Sequence, residues 1–254
     1  LDTVGAFAGP LLATTLMLVF ANDFRQVFWI AVVPGVLAVL LLALGVDEPE
    51  RAAPMRATNP IRREALRRLG AAYWRVVALG AVFTLARFSE AFLVLRAAQL
   101  GVATALVPLV MVAMNAIYAA SAYPFGRLSD RMDHRRLLAA GLLVLVLADA
   151  VLGLASGWPA VLLGLALWGV HMGMTQGLLA TMVADCAPAD RRGTAFGCFN
   201  LVSGLSMLAA SVLAGLLWDS YGAPATFGAG ALLCLLTLAG LLRVRPAGPL
   251  PPSG

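Results

Sequence analysis

The sequence predicts an all-α membrane protein, a polytopic bundle of transmembrane helices. Of its 254 residues, 61% are hydrophobic and only 12% are charged, and the mean hydropathy is +0.89. A soluble domain has about 45–50% apolar and about 25% charged residues. This chain therefore has too few charged side chains to cover a water-facing surface. The apolar residues also fall into runs of membrane-spanning length, and the arginines collect in alternate loops between them.

A transmembrane helix needs about 20 predominantly apolar residues. The candidate runs that meet this requirement are 3–20, 27–46, 73–97, 103–123, 136–155, 158–183, 194–217 and 223–243. The first run lacks the basic start and the cleavage site of a signal peptide. Because the chain begins with Leu1, at or inside a helix, we expect an N-terminal part of the protein to precede it.

The arginines orient the runs. One set of alternate loops and helix ends carries 15 of the 18 arginines, the other set carries two, and Arg87 lies inside a run. The larger set is Arg51, Arg56, Arg62, Arg63, Arg67, Arg68, Arg75, Arg127, Arg131, Arg135, Arg136, Arg191, Arg192, Arg243 and Arg245, and the smaller set is Arg25 and Arg96. Cytoplasmic loops are enriched in Lys and Arg. The sequence therefore predicts a multi-pass protein of the bacterial inner (plasma) membrane with a cytoplasmic C-terminus.

The longest loop divides the chain. In this loop Asn59-Pro60 has the pattern of a helix start, an N-cap residue followed by proline. Leu66 and Leu69 would lie on one apolar face of that helix. This pattern fits a short helix at the membrane surface and a solvated basic linker equally well. The predicted parts are two helices of an N-terminal bundle (1–46), a cytoplasmic linker (47–71), a six-helix C-terminal bundle (72–245) and a disordered cytoplasmic tail (246–254).

The first run contains the small residues Gly5, Gly9 and Ala13, which are spaced four apart, and Pro10 comes directly after Gly9. Residues four apart lie on one helix face, and small residues there allow helix backbones to approach closely. Pro10 removes a backbone hydrogen bond and kinks the helix. Ordinary small-residue packing is the alternative interpretation of this pattern.

A second motif follows the fourth run, in the sequence G-R-L-S-D-R-M-D-H-R-R from Gly126 to Arg136. We expect a tight turn at Gly126 and a carboxylate, Asp130, held near arginines and a helix N-terminus, where anions are stabilised. A third pattern, A-P-A-D-R-R-G-T-A-F-G, ends the sixth run at Pro188. It offers Asp190 as a helix cap, and Gly193, Gly197 and Gly204 follow at close-packing intervals.

Together these patterns resemble the major facilitator superfamily of transporters. The second motif is similar to the family's loop signature G-x-L-a-D-R-x-G-R-R, with matches at Gly126, Asp130, Arg131 and Arg135 and with Asp133 in place of a glycine. The first resembles the fifth-helix motif of the family's antiporters, although the final glycine pair is absent. The resemblance implies that the runs are helices 5 to 12 of twelve, that the missing N-terminal helices of the same protein are a partner, and that Asp130 latches the cytoplasmic side.

Ionisable and amide side chains inside the spans are the candidates for coupling or substrate binding. Such residues are costly in a bilayer and usually face a bundle interior. Arg87 and Glu90 lie three residues apart on one predicted helix face. They could form a structural ion pair. Alternatively, Glu90 exchanges protons, and Arg87 tunes it or binds an anionic group. His171 fits a coupling role and a packing role equally well, with Gln176 following it. We read Asp149 as structural, and Asn115 and Asn200 as hydrogen-bonding candidates.

Other classes of protein fit poorly. The chain has no H-E-x-x-H, G-x-S-x-G or P-loop motif, so we expect no enzyme. Nucleic-acid binding is disfavoured because no basic stripe is present, and the scattered cysteines Cys186, Cys198 and Cys234 show no metal spacing. We expect no metal and no cofactor other than a proton gradient.

The sequence thus predicts secondary active transport of a small-molecule substrate across the lipid bilayer by alternating access, as proton-coupled efflux. A proton-coupled uptake permease is the alternative within this class. A non-transporting membrane receptor or scaffold on the same fold is the alternative from another class.

Overall fold

A computed structural model describes residues 2–20, 23–45, 66, 69–103, 106–188 and 191–243. These residues form ten α-helices and no strand. The helices are α1 (Asp2–Val19), α2 (Phe24–Gly45), α3 (Gly70–Ala86), α4 (Ala91–Gln99), α5 (Val107–Ser129), α6 (His134–Leu154), α7 (Trp158–Thr175), α8 (Leu178–Cys186), α9 (Arg192–Tyr221) and α10 (Ala223–Arg243). Most of the predicted linker with its Asn59-Pro60 helix start, the cap at Asp190 and the tail 246–254 lie outside the described residues.

Seven of the described segments are long and apolar enough to cross a membrane. Two of them are broken helices: Gly70–Gln99 contains α3 and α4, and Trp158–Cys186 contains α7 and α8. The prediction of continuous helices at 73–97 and 158–183 was wrong in this respect. Helix α1 is not among the seven; its 18 residues would span about 27 Å.

The core is centred on α6, which packs against α7 and α10, while α5 packs against α7 and α3 packs against both α9 and α10. Leu138, Leu142 and Leu145 on α6 are completely buried. Helix α2 has no buried residue, and Trp29 and Leu44 are 75% and 84% exposed. Contiguous apolar surface of this extent marks contact with lipid or another protein.

Glycines on α7 allow close helix crossings, but not the glycines that the sequence singled out. A β-carbon at Gly169 would lie 2.7 Å from the Met114 carbonyl oxygen of α5, and one at Gly173 would lie 3.0 Å from the Ser121 carbonyl carbon. In contrast, β-carbons at Gly193, Gly197 and Gly204 would have no neighbour within 4 Å. No described helix packs closely at those three positions, and Gly204 lines the cavity, so close packing there stays a prediction.

Interhelical contacts bring alternate loops together at opposite ends of the bundle. At the end that carries most arginines, the Tyr73 hydroxyl donates to the Ala195 carbonyl oxygen across 2.9 Å, and Arg135 donates to the Leu241 carbonyl oxygen. We call this the arginine-rich end. The pairing of α3 with the start of α9, and of the α5–α6 loop with the end of α10, agrees with the alternation that the sequence predicts.

At the opposite end, Arg96 of α4 stabilises the C-terminus of α6. Its Nε donates to the Leu152 carbonyl oxygen across 2.9 Å, and its Nη2 donates to the Ala155 carbonyl oxygen across 2.6 Å. Its Nη1 donates to Gln99 Oε1 across 2.8 Å. The last carbonyls of a helix have no intrahelical partner, and a cation stabilises them. Arg96 is therefore a buried structural side chain rather than a loop charge.

Candidate functional site

The two helix breaks open on the same cavity. Its volume is about 390 Å³, and it lies between the α3–α4 break, the α7–α8 break and the middle of α9. The residues that line it are Phe83, Thr84, Arg87, Thr175, Gln176, Gly177, Leu179, Ala180, Phe199, Ser203, Gly204 and Met207. Ligand pockets in proteins have volumes of roughly 300–1,000 Å³ and a few polar groups in an apolar wall. This cavity has that character.

The first break separates Arg87 from Glu90. The N–H of Arg87 closes α3 by donating to the Phe83 and Thr84 carbonyl oxygens, at 3.1 and 3.2 Å. The Ser89 hydroxyl then accepts from the Ala91 N–H across 3.2 Å and starts α4. Since the helix is interrupted here, the prediction that Arg87 and Glu90 share one helix face was wrong.

Arg87 carries a positive charge at the cavity wall. Among the described residues its guanidinium makes no hydrogen bond and no ion pair, and Glu90 influences it only electrostatically. Glu90 is partly exposed and does not line the cavity. The structural ion pair that the sequence allows is therefore not formed in this conformation, and the guanidinium donors of Arg87 remain available to a bound molecule.

The second break contains Gln176 and Gly177. The Gln176 N–H ends α7 by donating to the Met172 carbonyl oxygen across 2.8 Å, and Gly177 has a φ of +89°. Glycine adopts this left-handed conformation without steric cost. Leu179 and Ala180, in the first turn of α8, line the cavity, and the N–H groups of a first turn have no intrahelical acceptor. Gln176 and this helix start are thus neutral polar groups that face Arg87 across the cavity.

His171 lies behind the cavity wall rather than on it. Its side chain is completely buried, and Nδ1 lies 2.8 Å from the Gly141 carbonyl oxygen of α6. Its ring centroid is 5.7 Å from that of Phe83, and Thr175 Oγ1 lies 3.5 Å from its Nε2. This geometry is that of a hydrogen-bonded packing histidine between α6 and α7, and a coupling role stays a prediction.

The two candidate asparagines do not line the cavity. Asn115 is partly buried on α5, and Asn200 is exposed on α9 between the cavity-lining residues Phe199 and Ser203. Sequence reasoning passed over Thr84, Thr175 and Ser203, whose hydroxyl groups belong to the cavity residues. Threonine and serine are common in membrane helices for packing, so no sequence signal separates these three from the others.

The loop motif at the arginine-rich end differs from the expected geometry. Gly126 lies inside α5, and the turn comes after Ser129, so the predicted turn at Gly126 was wrong. The carboxylate at the helix N-terminus belongs to Asp133, which accepts from the Arg135 N–H across 3.1 Å. Asp130 is exposed beside Arg131, at the end of α5. Asp133, the departure from the family pattern, thus takes over the capping role that was expected of Asp130.

The motif of the first run remains unexplained by contacts. A β-carbon at Gly9 would have no neighbour within 4 Å, and Gly9 itself is exposed. The side-chain surroundings of Gly5 and Pro10 lie outside the described residues. Helix α1 does contact α5. Within the described residues, His, Cys, Asp and Glu form no cluster of three that could hold a metal ion.

The sequence matches a family model and several known proteins. The model for the Major Facilitator Superfamily matches residues 79–254. The chain is 29% identical over 243 residues to the uncharacterized MFS-type transporter MJ1317 of Methanocaldococcus jannaschii, covering 93% of this chain and 60% of that protein. It is 29% identical over 225 residues to the uncharacterized protein Rv2265 of Mycobacterium tuberculosis, covering 86% of this chain and 54% of that protein.

A shorter match joins the chain to a Bacillus subtilis protein named multidrug resistance protein 3, with 28% identity over 96 residues, 38% of this chain and 19% of that protein. The chain spans somewhat more than half the length of MJ1317 and Rv2265. The family match covers most of the chain, including both helix breaks and all residues that line the cavity. This multi-pass membrane chain belongs to the Major Facilitator Superfamily.

Proposed function

We propose that the protein is a secondary active transporter that exports a small solute from the cell by exchange for protons. The observation that carries this proposal is the convergence of two broken spans on one cavity. Discontinuous membrane helices form substrate and ion sites near the bilayer midplane in secondary transporters. A cavity with an arginine that has no ion-pair partner among the described residues, an amide and free helix N–H groups can bind a solute with apolar and acceptor groups.

The rest of the substrate site would come from helices of the first bundle. Helices α1 and α2 supply only part of such a bundle, and Leu201, Leu205 and Leu208 of α9 are 59–63% exposed beside the cavity-lining side. We therefore propose that the preceding helices of the same protein close the cavity. The arginine distribution supports a plasma-membrane protein with the arginine-rich end in the cytoplasm.

Proton exchange has a candidate carrier in Glu90, at the first break. Its carboxylate is partly exposed and near the charge of Arg87, so solutes and water that reach the cavity change its surroundings. An opposite charge favours the ionised carboxylate, and desolvation opposes it. We propose Glu90 as the proton-exchanging carboxylate because it lies beside Arg87 at the first break, and Glu90→Gln tests this role.

The test uses the full-length protein in inverted membrane vesicles energised by a proton gradient. Sulforhodamine B, an aromatic dye with sulfonate acceptor groups, is the first solute, because the cavity offers the cation of Arg87 and N–H donors. We expect dye accumulation that collapses with the gradient and loses its proton dependence in Glu90→Gln, with Asp219→Asn on α9 as the exposed control. Flux only in right-side-out vesicles would indicate an uptake permease. No flux of any solute in a panel under any gradient would indicate a receptor or scaffold.

A further inference from the structure

A second ionisable group of the bundle lies away from the cavity, on α6. Asp149 is completely buried, and neither of its carboxyl oxygens has a hydrogen-bond partner among the described residues. Buried polar groups in proteins are nearly always hydrogen-bonded, and buried charges are paired. Asp149 is buried without a hydrogen-bond donor or an opposite charge among the described residues. A purely structural role does not explain this, because the carboxyl group stabilises no neighbouring polar group.

The neighbours of Asp149 come from α10 and from the first break. A β-carbon at Gly230 would lie 2.8 Å from Asp149 Oδ2, 2.8 Å from Phe88 Cε1 and 3.4 Å from the Ala86 carbonyl oxygen. The carboxyl group, the ring of Phe88 and the last carbonyl of α3 therefore surround the same point. Ala86 and Phe88, which lie near Asp149, flank Arg87, which lines the cavity. The segment 86–88 therefore contacts both the Asp149 site and the cavity.

Among the residues that the structure describes, no charged side chain pairs with Asp149. From α10 the titratable neighbour is the Cys234 thiol, which is coupled to it electrostatically. From the other packed elements the ionisable groups lie elsewhere: Arg96 binds the C-terminus of α6, His171 binds Gly141, and Arg87 lines the cavity. Glu90, at the far end of the break, is partly exposed. An ionised Asp149 would thus be a buried charge without compensation, which is far less stable than the protonated acid.

Phe88 is the residue that links Asp149 to the break. It is 3% exposed, and its ring centroid lies 5.7 Å from Trp168 of α7 and 5.6 Å from Phe227 of α10. The indole N–H of Trp168 is also buried, with no hydrogen-bond partner in the described part of the chain. A buried donor and a buried carboxyl group therefore lie around the same ring, and any movement of Phe88 changes the surroundings of both.

We propose that Asp149 is a proton-binding site that controls the conformation of the first helix break. In this conformation its carboxyl group holds a proton. A rearrangement of residues 87–90 that displaces Phe88 admits water, the proton leaves to that water, and the carboxylate is then solvated. Protonation of Asp149 and the arrangement of Arg87 at the cavity are thereby coupled, because the two states of the break differ in their affinity for the proton.

The first test detects the proton directly. The full-length protein in an ester-free detergent is measured by infrared spectroscopy near neutral pH, where a protonated carboxylic acid gives a carbonyl stretch that a carboxylate lacks. We expect this band in the native protein and in Asp219→Asn, and its loss in Asp149→Asn. If Asp149→Asn fails to fold, Asp149→Glu should shift the band instead. A native band that neither variant changes would overturn the proposal.

The second test measures the coupling to the break. Gln176→Cys, in a background in which Cys186, Cys198 and Cys234 are replaced by alanine, reports access to the cavity through its alkylation by N-ethylmaleimide. Rates between pH 6 and pH 9 are divided by those of the same thiol in the unfolded protein. We expect the normalised rate to change about threefold or more with pH when Asp149 is present and to be flat in Asp149→Asn. Equal pH dependence in both backgrounds would overturn the coupling.

The proton site at Asp149 rests on the proposed function only for its role in transport. An experiment can therefore contradict the proton site without contradicting transport, and the reverse. Neither the infrared band nor the alkylation rate requires a transported solute. Both signals without flux of any solute would leave Asp149 as a proton site in a protein that does not transport. Proton-driven flux without either signal would keep the transporter and remove Asp149 from its mechanism.

Discussion

The two broken spans interrupt a membrane helix in different ways. The α3–α4 break extends over residues 87–90, carries Arg87 and Glu90, and restarts its helix at the Ser89 hydroxyl. The α7–α8 break takes only Gln176 and Gly177, carries no charge, and depends on the left-handed conformation of a glycine. Both open on the same cavity. One part of the cavity wall is therefore built on the charged side chain of Arg87, and another part on a glycine turn and an amide.

The difference separates two tasks. A charge inside a membrane is costly, so the first break has groups whose stability depends on protons, water and solute. The second break is neutral and is held between close crossings of α7 with α5 and α6, since Gly164 and Gly173 leave no room for a β-carbon. We therefore expect changes at the first break to alter transport and changes around the second to alter stability.

The largest expected effect is on stability, in Arg96→Gln. Arg96 lies on the same span as Arg87, yet it is buried and binds three backbone carbonyl oxygens of the α6 terminus. Its loss leaves those carbonyls unsatisfied and costs about 3 kcal/mol. The measurement is the melting temperature in detergent, with Arg25→Gln as the exposed control. An unchanged melting temperature would contradict the structural assignment of Arg96.

Gly173→Ala should have the next largest effect. Its new methyl group would meet the Ser121 carbonyl carbon at 3.0 Å and the Ala122 amide nitrogen at 3.1 Å. Since backbone atoms cannot move aside as a side chain can, the α5–α7 crossing must widen, at about 2 kcal/mol. Gly228→Ala on α10 is the matched control, because its β-carbon has no neighbour within 4 Å. Equal melting temperatures for the two variants would refute the close crossing.

Arg87→Gln tests the charged break. Because Arg87 has no hydrogen bond or ion pair among the described residues, the melting temperature should barely change. Flux in the vesicle assay should fall at least about tenfold, which corresponds to 1.4 kcal/mol. Arg87→Lys, which keeps the charge but not the planar donor array, should retain part of the flux. A large loss of stability with normal flux would reverse the roles assigned to Arg87 and Arg96.

Gly177→Ala tests the neutral break. A β-carbon there would meet no atom within 4 Å, so the only penalty is the backbone conformation, with a φ of +89°. For an L-residue that conformation costs roughly 1 kcal/mol. The comparison is with Gly215→Ala on α9, which is helical and equally open. If the two variants have the same melting temperature, the conformation of the second break does not depend on its glycine.

The smallest effect is expected for His171→Asn. An asparagine amide can also donate to the Gly141 carbonyl oxygen, so stability should fall by about 1 kcal/mol or less. The pH dependence of flux should stay that of the native protein, because His171 lies behind the cavity wall. A shifted pH profile in this variant would restore the coupling role that the sequence left open.

The agreement between sequence and structure follows the strength of the physical signal. Span positions were predicted to within a few residues at most ends, because the hydrophobic requirement of a bilayer acts on every residue of a run. Arg87 and Gln176, which the sequence offers as coupling or substrate candidates because polar groups are conspicuous in apolar runs, line the cavity, and their role stays a prediction. Asn200 and His171 were not cavity residues, because the face on which a side chain lies depends on neighbouring helices.

The sequence by itself determined that this chain is a membrane bundle, where its spans lie and which ends carry the arginines. These follow from composition and local pattern, whereas the family was indicated by the resemblance of the loop motif and is shown by the family match. Only the tertiary structure showed the two breaks, their shared cavity and the contrast between Arg96 and Asp149. Arg96 is satisfied by a helix terminus more than 50 positions away, whereas Asp149 meets Gly230 and Phe88 without a partner. Whether a buried charge is paired is decided by residues that are distant in the chain, and no local pattern records it.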